Sequence, residues 1–219
     1  MLLALETATN VCSVAYCDEN GNIYEQRTNK RGTHSEQLFL FIEQLQDEYD
    51  FEIKELDAVL VSEGPGSYTG LRISASAVKG LLFQTEVPLV GINTLASFAM
   101  QITEKHSQAN RIHSIIDARR VHVYHQQFVC AEGKLSTEDE VEVIPIKAFE
   151  KMLRKDDFVI GTGLDRIDQQ VLSKANTFGV DSITAKSLIR LYQADFSDFY
   201  QEEDPELFDP KYYTSNQAN

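Results

Sequence analysis

The sequence predicts an α/β protein of two similar lobes, each a mixed sheet flanked by helices, and three observations predict it. The first 28 residues hold three strand-like runs around a hairpin turn; helices and strands then alternate to about residue 104; and the same order returns in the second half without obvious sequence identity. A chain of 219 residues, 42% hydrophobic and 25% charged, can bury a core in each lobe and does not have the composition of a disordered or fibrous protein.

In order, residues 2–6, 11–17 and 23–28 read as an antiparallel meander, with Asn20-Gly21 as the turn. Thr33-His34-Ser35-Glu36 fits a capping box, Thr33 as N-cap and Glu36 reaching back, and opens an amphipathic helix to about Tyr49. A buried strand at 58–62, a Gly-Pro-Gly turn, a helix at 69–84, a strand at 87–92 and a helix from about Thr94 complete the first half. The second half repeats this with strands at 112–116, 121–129 and 140–144, a helix at 146–154, a strand at 158–160 and a helix at 165–175. A short strand near 179–183 and a helix at 185–195 follow. Residues 202–219 read as a surface tail, broken by Pro205 and Pro210, with Tyr212-Tyr213 available to dock it. A meander feeding βαβ units, present twice, is the plan of the duplicated ribonuclease-H-like or actin-like fold, divided here as lobes 1–104 and 105–219 with a shared or crossing C-terminal segment.

The formal charge is −14, and no segment clusters Lys and Arg as a nucleic-acid footprint requires, so this chain alone is expected to bind RNA poorly. Cys12, Cys17 and Cys130 are odd in number and form no CxxC pair, which predicts buried small hydrophobes rather than a disulfide framework or zinc site. No stretch approaches the roughly 20 apolar residues of a membrane helix, and the expected location is the cytoplasm.

Residues 62–72, SEGPGSYTGLR, join a buried strand to a helix, and their glycines allow close backbone approach. Helix N-terminal amides can hold an anion, so Gly64, Gly66 and Ser67 stand as an anion loop against an equally weighted reading as a tight strand-to-helix corner. The stretch 63–95, EGPGSYTGLRISASAVKGLLFQTEVPLVGINTL, resembles the signature of the TsaB (YeaZ) family. So do LALETAT at 3–9, THSEQL at 33–38 and DARRVHVY at 117–124. The match covers most of the N-terminal half and thins beyond it. The resemblance implies an actin-like-fold subunit that pairs with its paralogue TsaD and, with the ATPase TsaE, supports threonylcarbamoyl transfer to the adenosine beside a tRNA anticodon. It implies a homodimer when the chain is alone, and tRNA contact only through the complex.

Against that family background, no catalytic residue and no metal ligand set is expected here. TsaD-like catalysts carry histidines four apart on a helix, whereas His34, His106, His113, His122 and His125 include no such pair; His122 and His125, three apart on a strand, should point to opposite faces. Where an actin-like ATPase offers an acidic residue followed by glycine, this chain reads Glu6-Thr7-Ala8-Thr9. The second phosphate hairpin would begin at Asp117, where Arg119 and Arg120 replace glycines. Val121-His122 departs from the small or acidic residues expected after DARR, so no role is borrowed for that loop. Asp117 and Arg119 are read as a local ion pair rather than an acid and an anion clamp, and Gly161-Thr162-Gly163 as an ordinary turn rather than a degenerate adenosine loop. No cofactor is expected to bind tightly; weak ATP or ADP binding, alone or in the complex, stays open. A free-standing ATPase or small-molecule kinase is the alternative and needs intact phosphate hairpins. A peptidase needs a nucleophile or metal set that the sequence lacks.

Helical spacing assigns Leu71, Ala75, Val78 and Leu82 to the core and leaves Ile73, Ser76, Gly80 and Phe83 on a second face, with Ala77 counted beside it. On the helix after Thr33, Leu38, Phe41, Ile42, Leu45 and Tyr49 face inward and leave Phe39 and Leu40 outside. These two outer faces are the expected partner surface, unless the helices cover each other within one lobe.

Overall fold

A computed structural model describes residues 1–104, 106–107 and 109–214. The chain forms two compact units, the first Met1–Thr94 with Thr184–Lys211, the second centred on Leu95–Ile183.

In the first unit, β1 (Leu2–Glu6), β2 (Cys12–Cys17) and β3 (Ile23–Thr28) form the antiparallel meander. Its turn is tied by Asp18, which accepts the amides of Asn20 and Asn22 while Gly21 takes a left-handed φ of 82°. β4 (Ala58–Gly64) pairs parallel with β1, and β5 (Leu89–Asn93) parallel with β4. β1, β2 and β4 are buried at every position, which is why they read as nearly unbroken apolar runs.

α1 (His34–Tyr49) and α2 (Tyr68–Leu81) close one face of this sheet. Leu38, Phe41, Ile42 and Leu45 of α1 and Ala75 and Val78 of α2 pack with Leu3, Leu5, Val14 and Val61. Tyr16 stacks on Phe51 at 4.0 Å between ring centroids and Tyr24 on Tyr49 at 3.8 Å, so the end of α1 is pinned to β2 and β3.

The expected capping box does not form. The Thr33 hydroxyl donates backwards to the Lys30 carbonyl and makes no bond into the helix. Instead the buried His34 ring, through Nε2, reaches the carbonyls of Thr9 (2.9 Å) and Val11 (3.2 Å) and fixes the start of α1 to the β1–β2 loop.

α3 (Thr94–Thr103) leads into the second unit, where β6 (Ile112–Asp117) and β7 (His122–Ala131) are antiparallel. β8 (Lys134–Ser136) and β9 (Glu142–Pro145) both pair antiparallel with β7. After α4 (Ile146–Met152), β10 (Phe158–Gly161) pairs parallel with β6, and past α5 (Gln169–Leu172) β11 (Asn176–Phe178) pairs parallel with β10. The helix expected over 165–175 is broken. A 3-10 turn at Leu164–Arg166 ends in extended backbone at Ile167, and Asp168 caps only the single turn of α5. The strand expected near 179–183 lies earlier, at β11, and Val180–Ser182 is a 3-10 turn.

The boundary placed at 104/105 also differs from the structure. α6 (Lys186–Gln193) packs on β1, β2 and β4 of the first unit, and β12 (Tyr200–Glu203) adds an antiparallel edge to β5. The Ala185 amide donates to Ser13 Oγ, on the β2 face opposite Cys12 and Val14, so α6 covers the sheet face that α1 and α2 leave. The stretch expected as a surface tail from 202 is structural as far as Lys211: Phe208 is 2% exposed within the first unit's core. Its last five positions, 215–219, lie outside the described residues.

The two sheets run β12-β5-β4-β1-β2-β3 and β11-β10-β6-β7-β8, with β9 also on β7. Each is a meander extended beyond its first strand by two successive parallel strands, the duplicated actin-like plan expected from sequence. All three cysteines are free and buried, as the composition implied. Among the described residues no helix is long and apolar enough to cross a membrane.

Candidate functional site

Most of the residues expected on a partner surface come together on the first unit. α1 and α2 diverge around a groove of about 400 Å³ lined by Ser35, Phe39, Tyr68, Thr69, Arg72, Ile73, Ser76 and Ala77. Phe39 is 50% exposed, Leu40 41% and, just past α2, Phe83 65%. The helices therefore do not cover each other's outer faces. Ser76 and Gly80 are exposed, and a Cβ added at Gly80 would meet nothing within 4 Å, so this stretch of α2 can take a close neighbour. Ala77 is the exception: at 1% exposure it belongs to the core and forms the floor of the groove rather than its contact face. Arg72 lies over the Tyr68 ring, 4.0 Å from its centroid, and gives the groove a cationic lip.

Beside the groove, the residues considered as degenerate phosphate loops are consumed by the fold. Glu6 is fully buried; its Oε1 accepts the Ala8 amide at 2.7 Å and its Oε2 the Ser62 hydroxyl. Burial pushes its carboxyl up to about 7, against the lowering effect of those two hydrogen bonds. The Thr7 hydroxyl donates to the Gly70 carbonyl at 2.9 Å. Three amides at the start of α2 have internal acceptors: Ser67 N–H donates to the Ala8 carbonyl, Gly70 N–H to Ser67 Oγ and Leu71 N–H to the Ser67 carbonyl.

The glycines serve the same corner. A Cβ at Gly66 would sit 2.5 Å from the Ala8 carbonyl oxygen, and one at Gly70 would collide with the Thr7 carbonyl. Gly64, at φ 124°, lies against the Lys211 carbonyl. The segment 62–72 is thus a tight strand-to-helix corner clamped onto the β1–β2 loop.

In the second unit, Asp117 pairs with the Arg166 guanidinium, whereas Arg119 meets it through its backbone amide, which donates to Oδ1 at 2.7 Å. The reason is conformational: Arg119 and Arg120 take left-handed φ values of 67° and 50° to turn the β6–β7 hairpin. Gly161, at φ 136°, and Gly163, at φ 84°, pack against the ends of β6, at Ile115 and Asp117. His125 is buried against His113, while His122 is half-buried at the start of β7. Among the described residues no group of three His, Cys, Asp or Glu could hold a metal ion.

Sequence reasoning missed one pair altogether. Glu63, 5% exposed, accepts from Lys211 Nζ at 2.8 Å, and the Lys211 amide donates to the Glu63 carbonyl at 2.7 Å. Burial raises the Glu63 carboxyl above its ordinary value and Lys211 opposes that rise. The partners are 148 residues apart, and no local pattern marks them.

A family model described as "TsaD: tRNA N6-adenosine threonylcarbamoyltransferase" matches residues 26–165. The tRNA threonylcarbamoyladenosine biosynthesis protein TsaB of Haemophilus influenzae is 35% identical over 58% of this chain and 53% of its own length, so that match spans about half of the relative. TsaB of Escherichia coli is 28% identical over 74% of this chain and 71% of its own. The structure of YeaZ from Pseudomonas aeruginosa superposes with a TM-score of 0.76 at 26% identity, covering 96% of this chain and 99% of that one. The chain belongs to the family of the tRNA N6-adenosine threonylcarbamoyltransferase model, and within it to the TsaB (YeaZ) members.

Proposed function

We propose that this chain is a non-catalytic partner subunit in the synthesis of threonylcarbamoyladenosine on tRNA, and that its α1–α2 groove seats a TsaD paralogue. The uncovered apolar groove carries the reading: Phe39 lines it, and Leu40 and Phe83, on the same two helices or just past them, are further large apolar side chains left in water. A helix pair set against small residues at Ser76 and Gly80 suits a helical neighbour. Alone in the cytoplasm the same face would take a second copy of the chain, and TsaE would join the assembled pair.

The absence of a catalytic role is supported by the sealed Glu6 and by the strand-to-helix corner, whose Gly66 and Gly70 pack against the Ala8 and Thr7 carbonyls. No tightly bound cofactor is proposed; any ATP or ADP would bind weakly or only in the complex. The charge of −14 supports tRNA contact through the partner and not through this chain alone. The test is a threonylcarbamoylation assay on tRNA with the TsaD paralogue and TsaE, with and without this chain. Modification that requires this chain, and none from it alone, is the expected result. Full modification without it, together with ATP turnover by this chain alone, would instead favour a free-standing actin-like ATPase.

A further inference from the structure

The second unit buries a chain of titratable groups that the partner role does not use. His113 on β6 is 0% exposed and His125 on β7 2%, with Phe149 of α4 against both rings at 5.7 and 5.5 Å. His113 Nδ1 lies 3.0 Å from His125 Nε2, and His113 Nε2 lies 3.2 Å from Asp157 Oδ2.

The direction of these bonds follows from their neighbours. Arg111 Nη2 is 3.3 Å from His113 Nε2, but its two protons have acceptors in Gln127 Oε1 (3.1 Å) and the Met152 carbonyl (3.2 Å). The Asp157 carboxylate can only accept, as it also does from the Arg154 amide at 2.8 Å. His113 therefore donates from Nε2 to Asp157, which leaves its Nδ1 to accept from His125 Nε2–H. Both imidazoles are neutral in this arrangement, and a further proton has to enter a dry site.

The charged groups around the pair are Arg111 at the foot of β6, Asp157 just before β10 and Asp139 in the loop before β9. Glu142 of β9 stands opposite His125 in register, and α4 faces the rings with Phe149.

We propose that His125, His113 and Asp157 form a proton-sensitive latch, which holds β6, β7 and β10 closed at neutral pH and loosens them as the solution turns mildly acidic. Burial holds both histidines below the ordinary value of 6.5, His125 at about 3 with His113 and Arg111 adding to the effect; Asp157 partly offsets it for His113. Groups whose folded values lie below their unfolded values bind protons on opening. Their contribution is complete above about pH 6.5 and is lost as the pH falls below it. Two such protons raise the opening constant by up to about 100-fold per pH unit.

Hydrogen exchange of the full chain at about pH 7.5 and about pH 5.5, corrected for intrinsic rates, tests this. Protection in β6, β7 and β10 should itself fall at least about 10-fold between the two pH values, while β1 and β4, which hold the buried Glu6, should lose none. Nitrogen NMR should place the proton on Nε2 of both histidines. His125→Gln keeps a donor to His113 but carries no titrating proton, and should halve the logarithmic pH slope. Equal loss of protection in both sheets, a proton on His113 Nδ1, or an unchanged slope in His125→Gln would overturn the latch. If that variant fails to fold, the wild-type exchange and tautomers decide.

Discussion

Glu6 stands where an actin-like ATPase offers the acidic residue of its first phosphate hairpin, and in this chain the fold encloses it completely. Both of its oxygens are spent on Ala8 and Ser62, and burial lifts its carboxyl to about 7 from an ordinary value of 4.5. A carboxylate whose folded value is raised binds its proton more tightly when folded, so the cost of burying it is present above about pH 7 and fades as the pH falls toward 4.5. Glu6→Gln can still accept from Ala8 and can donate to Ser62. It should stabilise the chain near pH 8 by on the order of 3 kcal/mol, with little gain near pH 5; urea unfolding followed by circular dichroism across that range checks it. Residue-level contacts of this kind were only partly legible in sequence. The glycines of 62–72 were visible as close-approach residues, but that they approach Thr7, Ala8 and Lys211 rather than an anion depends on a tertiary contact. The capping box at Thr33 failed for a local reason: a hydrogen bond back to Lys30 competed for the hydroxyl.

At the scale of elements, α1 and α2 carry the proposed partner role. Their inward stripes were read correctly because helical periodicity is a local signal, and Leu38, Phe41, Ile42, Leu45, Ala75 and Val78 are all buried. Their outer faces were legible for the same reason, apart from Ala77, whose small side chain sits between the two stripes and is buried by its neighbours. Gly80→Glu tests the outer face without touching the core, since a Cβ there meets open space and the backbone is helical. The variant should keep the circular dichroism spectrum and lose the complex, weakening association by about 100-fold or more by placing an unpaired charge in the contact. Unfolding of the variant would show that the position is internal. Shorter elements were less legible: β8 has three residues and α5 a single turn, too few for a period to declare itself.

On the scale of the whole molecule, the C-terminal chain is what the sequence order concealed. The amphipathic pattern of α6 says that Leu188, Ile189 and Leu191 are buried but not on which sheet, and chain order favoured the second lobe. β12 pairs with a strand more than a hundred residues upstream, and Phe208 completes the first unit's core between two prolines that looked like tail punctuation. Phe208→Ala should therefore cost about 3–5 kcal/mol, the usual range for emptying a buried aromatic site. It should lower protection in β1 and β4, measured by hydrogen exchange; a surface tail would show no change.

The partner role is tested most directly by light scattering on size-fractionated mixtures of this chain with its TsaD paralogue, beside each protein alone. A one-to-one heteromer that forms with wild type and not with Gly80→Glu is the predicted result. Coexistence of the two proteins without association, or a heteromer that Gly80→Glu leaves intact, would contradict the assignment of the α1–α2 groove.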